Sequence, residues 1–444
     1  MNFKLLKQKD FLLLMLGKLV SLIGSEMQGF ALSLYVLKIT GSATKFASVL
    51  SITLIPKLIL GPIAGVIIDW IDRKKVIVYL DMLSGIIIGI YAVLYIVNGE
   101  LSLGSIYVLA VLLSFISLLF QPAINTVLPS IVEKEELAGA NGINSLVMSI
   151  GNLIAPAVAG FIFGIYGMSV VLIVNSISFI LSSISEMFIN IPKVNNKPEK
   201  ININTFVYDF SQGIKFIKDK KIIANIIVLA CIVNFAVPPI SSIGLAFISK
   251  QILKITDYQY GMLQCFFVAS MMVATFVINK VTKKITIGKI IFLDIFITSI
   301  LIAVMAIIPS TFYLNLFSSN LIPYISLIII IFMIGLIISI GNIALGTMFQ
   351  QEVPLEIMGR VGTVMSSISM AAMPLGQMLF GFLFDEIEAW MCIAIASSIF
   401  LIVSLIFKKS LCADDENDKL IVDNNKVPIG SPGLEMAINE DMEK

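Results

Sequence analysis

Apolar residues in this chain fall in long runs, each exceeding the ~20 residues that a helix needs to cross ~30 Å of hydrocarbon. Short clusters of Gly, Pro, Asn, Asp and Lys separate them. The pattern predicts an all-α membrane protein of about twelve transmembrane helices, centred on residues 11–37, 44–68, 75–97, 103–127, 143–165, 168–190, 222–249, 258–280, 286–308, 322–347, 359–384 and 388–408. One long polar stretch, 191–221, interrupts the series. Within it Phe206, Phe210, Ile214 and Ile217 recur at helical spacing, with Asp209, Gln212, Lys215 and Lys218 on other faces. That stripe predicts a helix lying on the membrane surface. The expected organisation is an N-terminal six-helix half over 1–190, a cytoplasmic linker over 191–221, a C-terminal six-helix half over 222–409 and a disordered acidic tail over 410–444.

The two halves echo one another. Gly139 and Gly142, opening the fifth run, match Gly359 and Gly362, opening the eleventh, at an offset of 220. Pro156 and Pro374 follow at similar distances, then GFIFG at 160–164 and GFLFD at 381–385. A parallel duplication about an axis along the membrane normal explains three coincidences in the same order.

Composition removes the soluble alternative. Of 444 residues 58% are hydrophobic and 13% charged, with mean hydropathy +0.99, whereas soluble domains are about a quarter charged. The net charge of +1 matters less than where the cations stand. Lys4, Lys7 and Lys9, then Arg73, Lys74 and Lys75, the lysines from Lys193 to Lys221, Lys280, Lys283 and Lys284, and finally Lys408 and Lys409 all fall on one side of alternating spans. Lys38, Lys45, Lys250 and Lys254 are the exceptions. The positive-inside rule places both termini in the cytoplasm, and the expected location is the plasma membrane. No small-residue cleavage site follows the first apolar run, so that run is expected to remain as a helix.

Chemistry narrows further. Cys231, Cys265 and Cys392 lie in apolar runs and Cys412 in the tail, at no metal or disulfide spacing. Histidine is absent, so any proton-carrying group must be a carboxylate. No G-x-x-x-x-G-K-[ST] sequence is present to cradle a nucleotide. Neither an enzyme nor a cofactor or metal is expected.

The segment GPIAGVIIDWIDRKK at 61–75 breaks from an apolar, glycine-spaced helix into two aspartates and three cations. It resembles the signature between helices two and three of the major facilitator superfamily, roughly G-x-x-x-D-R-x-G-R-R. Gly65, Asp69, Arg73 and Lys74 stand at the matching positions, while Trp70 replaces the first Arg and Asp72 the second Gly. FQPAINTVLPSIVEKEELAGANG at 120–142 and QQEVPLEIMGRVG at 350–362 resemble inner loops of the branch containing macrolide-efflux proteins and siderophore exporters, with Ile124 where many members carry Arg. The resemblance covers roughly 8–408. It implies two halves rocking around a midplane site, and export of amphipathic or lipophilic compounds in exchange for protons. The alternatives are a specific metabolite, siderophore or lipid as cargo, or a non-transporting receptor. It also implies that Asp69 meets the start of the eleventh helix, near Gly359, and holds the cytoplasmic side shut. The expected partners are a small-molecule substrate, protons and lipid, without nucleic acid, around a monomer.

Ionisable groups inside a span are costly and mark function. Glu26 and Lys57 lie roughly 22 and 16 Å from the inner ends of their spans, near the bilayer middle, and form the candidate proton-coupling pair or a structural ion pair. Asp81, Asp294 and Glu186 lie nearer the inner ends and are expected to anchor helix ends or support the gate. Polar stripes on the fifth and eleventh runs, with neighbouring methionines, suggest a cavity wall. Asn152, Gln377 and Gln28 are candidates because a buried amide needs partners. Met370 and Met373 are candidates because flexible thioethers adapt to apolar ligands.

Overall fold

The computed structural model describes residues 3–69, 72–133, 136–191, 211–212, 214–282, 285–354 and 357–411. Among these, the chain forms twelve long helices. In the first half they are α1 (Lys9–Thr40), α2 (Ala43–Asp69), α3 (Arg73–Asn98) and α4 (Leu103–Ile131), followed by a 51-residue helical stretch, Leu137–Met187. Gly167 breaks that stretch with φ 76° and ψ −173°, a conformation open essentially to glycine alone, and so divides it into α5 (137–166) and α6 (168–187). The second half comprises α7 (Lys221–Pro239), α8 (Asp257–Val281), α9 (Ile287–Ile307), α10 (Leu321–Glu352), α11 (Met358–Glu386) and α12 (Ala389–Leu411). Ten helical stretches among the described residues are long and apolar enough to cross a membrane. Of the linker, residues 214–219 are helical, and Phe216 and Ile217 pack against the cluster formed by Ile223, Ile227, Val353 and Val361. Phe206 and Phe210, like the tail from 412, lie outside the described residues.

Helix ends follow local chemistry. Asp72, which stands where the family pattern has glycine, caps α3 by accepting from the Lys74 and Lys75 amides at 3.1 and 3.3 Å. Thr256 and Gln259 form a reciprocal capping box at the start of α8. At the end of α7, Pro238 and Pro239 lack amide hydrogens, and the helix continues to Ile252 through two wider π-type turns, Ile240–Gly244 and Ile248–Ile252.

Small residues let the helices approach closely, as they must where lipid removes the hydrophobic drive between them. Gly17 and Gly24 of α1 abut Ser182, Asn175 and Ser178 of α6, and Gly85 of α3 abuts Ile180 and Ser176. Pro239 has no amide to give the Phe235 carbonyl, and Gly376 of α11 packs straight onto that oxygen; any Cβ there would fall 1.8 Å from it.

The buried side chains divide unevenly between the two membrane faces. A large cluster joins the two halves near the face opposite the start of α1, where it holds Ala43, Ala47, Phe163, Leu245, Phe380 and Phe384, and within the second half it continues to Ile290 and Leu411 on the terminal face. On the face where α1 begins and α12 ends, two clusters stand apart. One is built from Leu14, Ile77, Ile124 and Ala140 of the first half, the other from Ile223, Ile227, Val353 and Val361 of the second. The halves share a core on the far face and separate toward the terminal face.

Candidate transport pathway

The far-face joint rests on two antiparallel crossings. In the first, α2 meets α11. Asp385, near the end of α11, accepts hydrogen bonds from Ser42 Oγ at 2.6 Å, the Ala43 amide at 2.7 Å, the Thr44 amide at 2.9 Å and Thr44 Oγ1 at 2.6 Å. A carboxylate from one half thus caps the first turn of a helix in the other, where free amides and the helix dipole favour negative charge. One turn deeper, Gly381 packs on Ala47 and the Ala43 carbonyl. Deeper again, Ser51 Oγ donates to Gln377 Oε1 at 3.2 Å and lies 3.4 Å from the Pro374 carbonyl. In the second crossing, Gly160 of α5 sits against Gly261 and the Asp257 carbonyl of α8. Between the crossings the Phe30 and Tyr260 rings stack with centroids 5.2 Å apart. Lys250 pairs with Asp257 at the rim.

Below this joint the interior opens. Lys57 is exposed and lies about 200° of helical turn from Ile55 and Ile59, the exposed apolar residues of α2, so it points away from lipid. Glu26 on α1 is also exposed, and the two interact through their charges rather than through a hydrogen bond. On α11, Met370 and Met373 each stand about 200° from a lipid-facing neighbour, Ile368 and Leu375 respectively; Met370 is exposed and Met373 half-buried. Lys18, deeper toward the terminal face, donates to Asn144 Oδ1 of α5 at 2.8 Å.

The amide candidates go elsewhere. Gln28 is 2% exposed and accepts from Asn175 Nδ2 at 2.6 Å, so it joins α1 to α6 within the first half rather than lining open space. Gln377 is 5% exposed and belongs to the α2–α11 joint through Ser51. The physical reason is the same for both: a neutral amide in an apolar surround is stabilised by a nearby side chain before any ligand arrives. The side chains of Asn152 and Asp69, and the surroundings of Gly65, lie outside what the structure describes. Arg73 and Lys74 are half-buried at the start of α3.

The other carboxylates within the spans face neighbouring helices, Asp81 and Glu186 buried and Asp294 half-buried. Asp81 and Glu186 lie together between α3 and α6, beside Ser182, and Asp294 of α9 faces Gly341 of α10. The sequence reading does not single out Asp385, which joins the two halves. Its signal was present: an acid at a helix C-terminus opposes its own dipole and needs another helix's N-terminus, and Ser42-Ala43-Thr44 reads as one.

Two helical bundles joined on one face and parted on the other, with charged side chains between them, define a polytopic membrane transporter. The chain belongs to the Major Facilitator Superfamily, whose sequence model matches residues 14–377. It is 23% identical over 377 residues to "Macrolide efflux protein A" of Streptococcus pyogenes, covering 84% of this chain and 88% of that protein. Among solved structures it resembles the nucleoside transporter NupG, with TM-score 0.69 at 13% identity over 90% of this chain and 98% of that one. It also resembles a bacterial homologue of the iron transporter ferroportin. The inward-facing state of that homologue gives TM-score 0.68 at 16% identity, covering 89% of this chain and 98% of the other. The outward-facing state gives 0.56 at 17% identity, covering 90% and 98%.

Proposed function

We propose that this protein exports amphipathic or lipophilic small molecules across the plasma membrane in exchange for protons. The observation that carries the reading is the asymmetric join: a core shared by both halves on the far face, and a charged, methionine-bearing opening toward the terminal face. With both termini cytoplasmic, as the lysine distribution favours, this is an inward-open state ready to take cargo from the cell or the inner leaflet. The better superposition on the inward-facing ferroportin homologue supports it, and so does the likeness to a macrolide efflux protein.

Export follows by exchanging one closed face for the other. Cargo enters beside Met370 and Met373, whose thioethers adapt to varied apolar shapes. Closing the cytoplasmic side brings Asp69 toward the start of α11, while the Asp385 contacts release. Glu26 carries the proton, and Lys57 beside it links the charge on Glu26 to the position of α2. The test uses everted membrane vesicles energised to an acidic interior. Uptake of a lipophilic fluorescent probe that a protonophore abolishes supports the proposal. Uptake indifferent to the protonophore removes the proton, and binding without flux removes transport.

A further inference from the structure

The first half holds a cavity that the transport reading leaves unused. It has a volume of about 280 Å³ and lies between α1, α4 and α5 on the terminal-face side. Leu14 and Met15 of α1 and Ile124 and Leu128 of α4 form its apolar walls, while Lys18 and Asn144 form its polar end. That size is just below the range of small-ligand pockets, enough for one end of an amphiphile.

Lys18 is half-buried in this wall, and its ammonium gives one hydrogen bond to an amide oxygen, Asn144 Oδ1. An ammonium has three donors, and an amide supplies no counter-charge. Among the described residues its partner is neutral, and a cation held so against apolar surface is most improved by an anion. The interior charges of α1 and α2 point the same way: Lys18, Glu26 and Lys57 leave one positive charge in excess. Lys18 also stands on the same face of α1 as Ser25 and Gly29, away from the lipid-exposed Val20.

We propose that this cavity is a binding subsite for the acidic group of an amphipathic substrate, with Lys18 holding a carboxylate or phosphate and Asn144 orienting the ammonium. The inference rests on the export reading and adds a charge class to it: among amphiphiles of one shape, acids are preferred to neutral and cationic forms. Leu14, Met15, Ile124 and Leu128 hold the first carbons of the chain, and the remainder extends into the opening between the halves.

The experiment measures binding to the purified full-length protein in nanodiscs of zwitterionic lipid, with a fluorescent dodecyl carboxylate and its neutral primary amide as probes. Wild type is expected to bind the carboxylate at least roughly tenfold more tightly than the amide, the size of one charge-assisted contact. Lys18→Met is expected to abolish that preference while leaving amide binding unchanged, and Lys18→Arg to keep it. Equal affinities in wild type, or a preference that survives Lys18→Met, overturn the proposal. A parallel arm adds anionic lipid. Lys18-dependent displacement of the carboxylate by that lipid at ordinary membrane content assigns the pocket to a lipid headgroup and overturns the substrate assignment. Export of the neutral amide from cells is scored separately. Carboxylate preference without any export retains the subsite and rejects the transport reading; export without the preference does the reverse.

Discussion

Replacing Asp385 by alanine tests the far-face joint at its strongest point. The carboxylate accepts four hydrogen bonds between 2.6 and 2.9 Å from Ser42, Ala43 and Thr44, all across the two halves. Loss of a helix cap costs about 1 kcal/mol, and a hydrogen bond to a charged group is worth about 1.5–3 kcal/mol. Asp385 is exposed, so water competes for it and the sum falls well below four full bonds. A net of about 2 kcal/mol follows. These contacts exist only while the far face is closed, so their loss raises the open fraction, by roughly 30-fold at 1.4 kcal/mol per factor of ten. Ser51 is 4% exposed inside the joint, and a cysteine there reacts only when the joint opens. In a background without native cysteines, Ser51→Cys labelling by an impermeant maleimide from the far face is predicted to accelerate by that order in Asp385→Ala. Asp385→Asn keeps an acceptor without the charge and is predicted to fall between. An unchanged rate in a folded Asp385→Ala protein would refute the latch.

Three further outcomes follow from the same geometry. Gly381→Leu places a Cβ 2.5 Å from Ala47 Cβ and 3.1 Å from the Ala43 carbonyl, so the far face is expected to stay open, with export lost and expression retained; normal flux would contradict this. Glu26→Gln is expected to uncouple export from the proton gradient while binding of neutral cargo survives, with Glu26→Gln plus Lys57→Met as the control for lost pairing; recovery of stability and coupled export in the double variant would make the pair structural. Gln28→Leu leaves Asn175 without its acceptor and is expected to lower stability in detergent by about 1 kcal/mol without altering which compounds are exported, whereas a changed substrate range would return Gln28 to the cavity.

Much of the architecture was legible because the membrane imposes it locally. A helix must satisfy its own backbone, so apolar run length alone located the spans. The gap between the fifth and sixth predicted spans, at 166–167, coincides with the Gly167 break, because glycine there permits the positive φ that a reversal needs. The G-x-x-x-G spacings at 85–89 and 160–164 are of the kind that lets membrane helices approach closely, and Gly85 and Gly160 do touch neighbouring helices. Side-chain pairing was not legible to the same degree. An amide in a span needs a partner, and on that ground the sequence suggests Gln28 and Gln377 for the cavity. That the partners are Asn175 on α6 and Ser51 on α2 depends on which helices become neighbours, and helix periodicity carries no such information. Asp385 shows the converse: it appeared only as the end of a glycine-rich repeat, although its position at a C-terminus already called for a foreign helix start.

The central claim is that two halves rock, closing one face as the other opens. Spin-label distances measured together across both faces test it most directly, using cysteines at Lys45 and Glu386 for the far face and at Lys75 and Gln351 for the terminal face, all exposed positions. On adding exported compound and acidifying the far side, the account predicts that the Lys45–Glu386 distance lengthens while the Lys75–Gln351 distance shortens, in the same fraction of molecules. Distances that stay fixed under transport conditions, or that lengthen on both faces together, would contradict it.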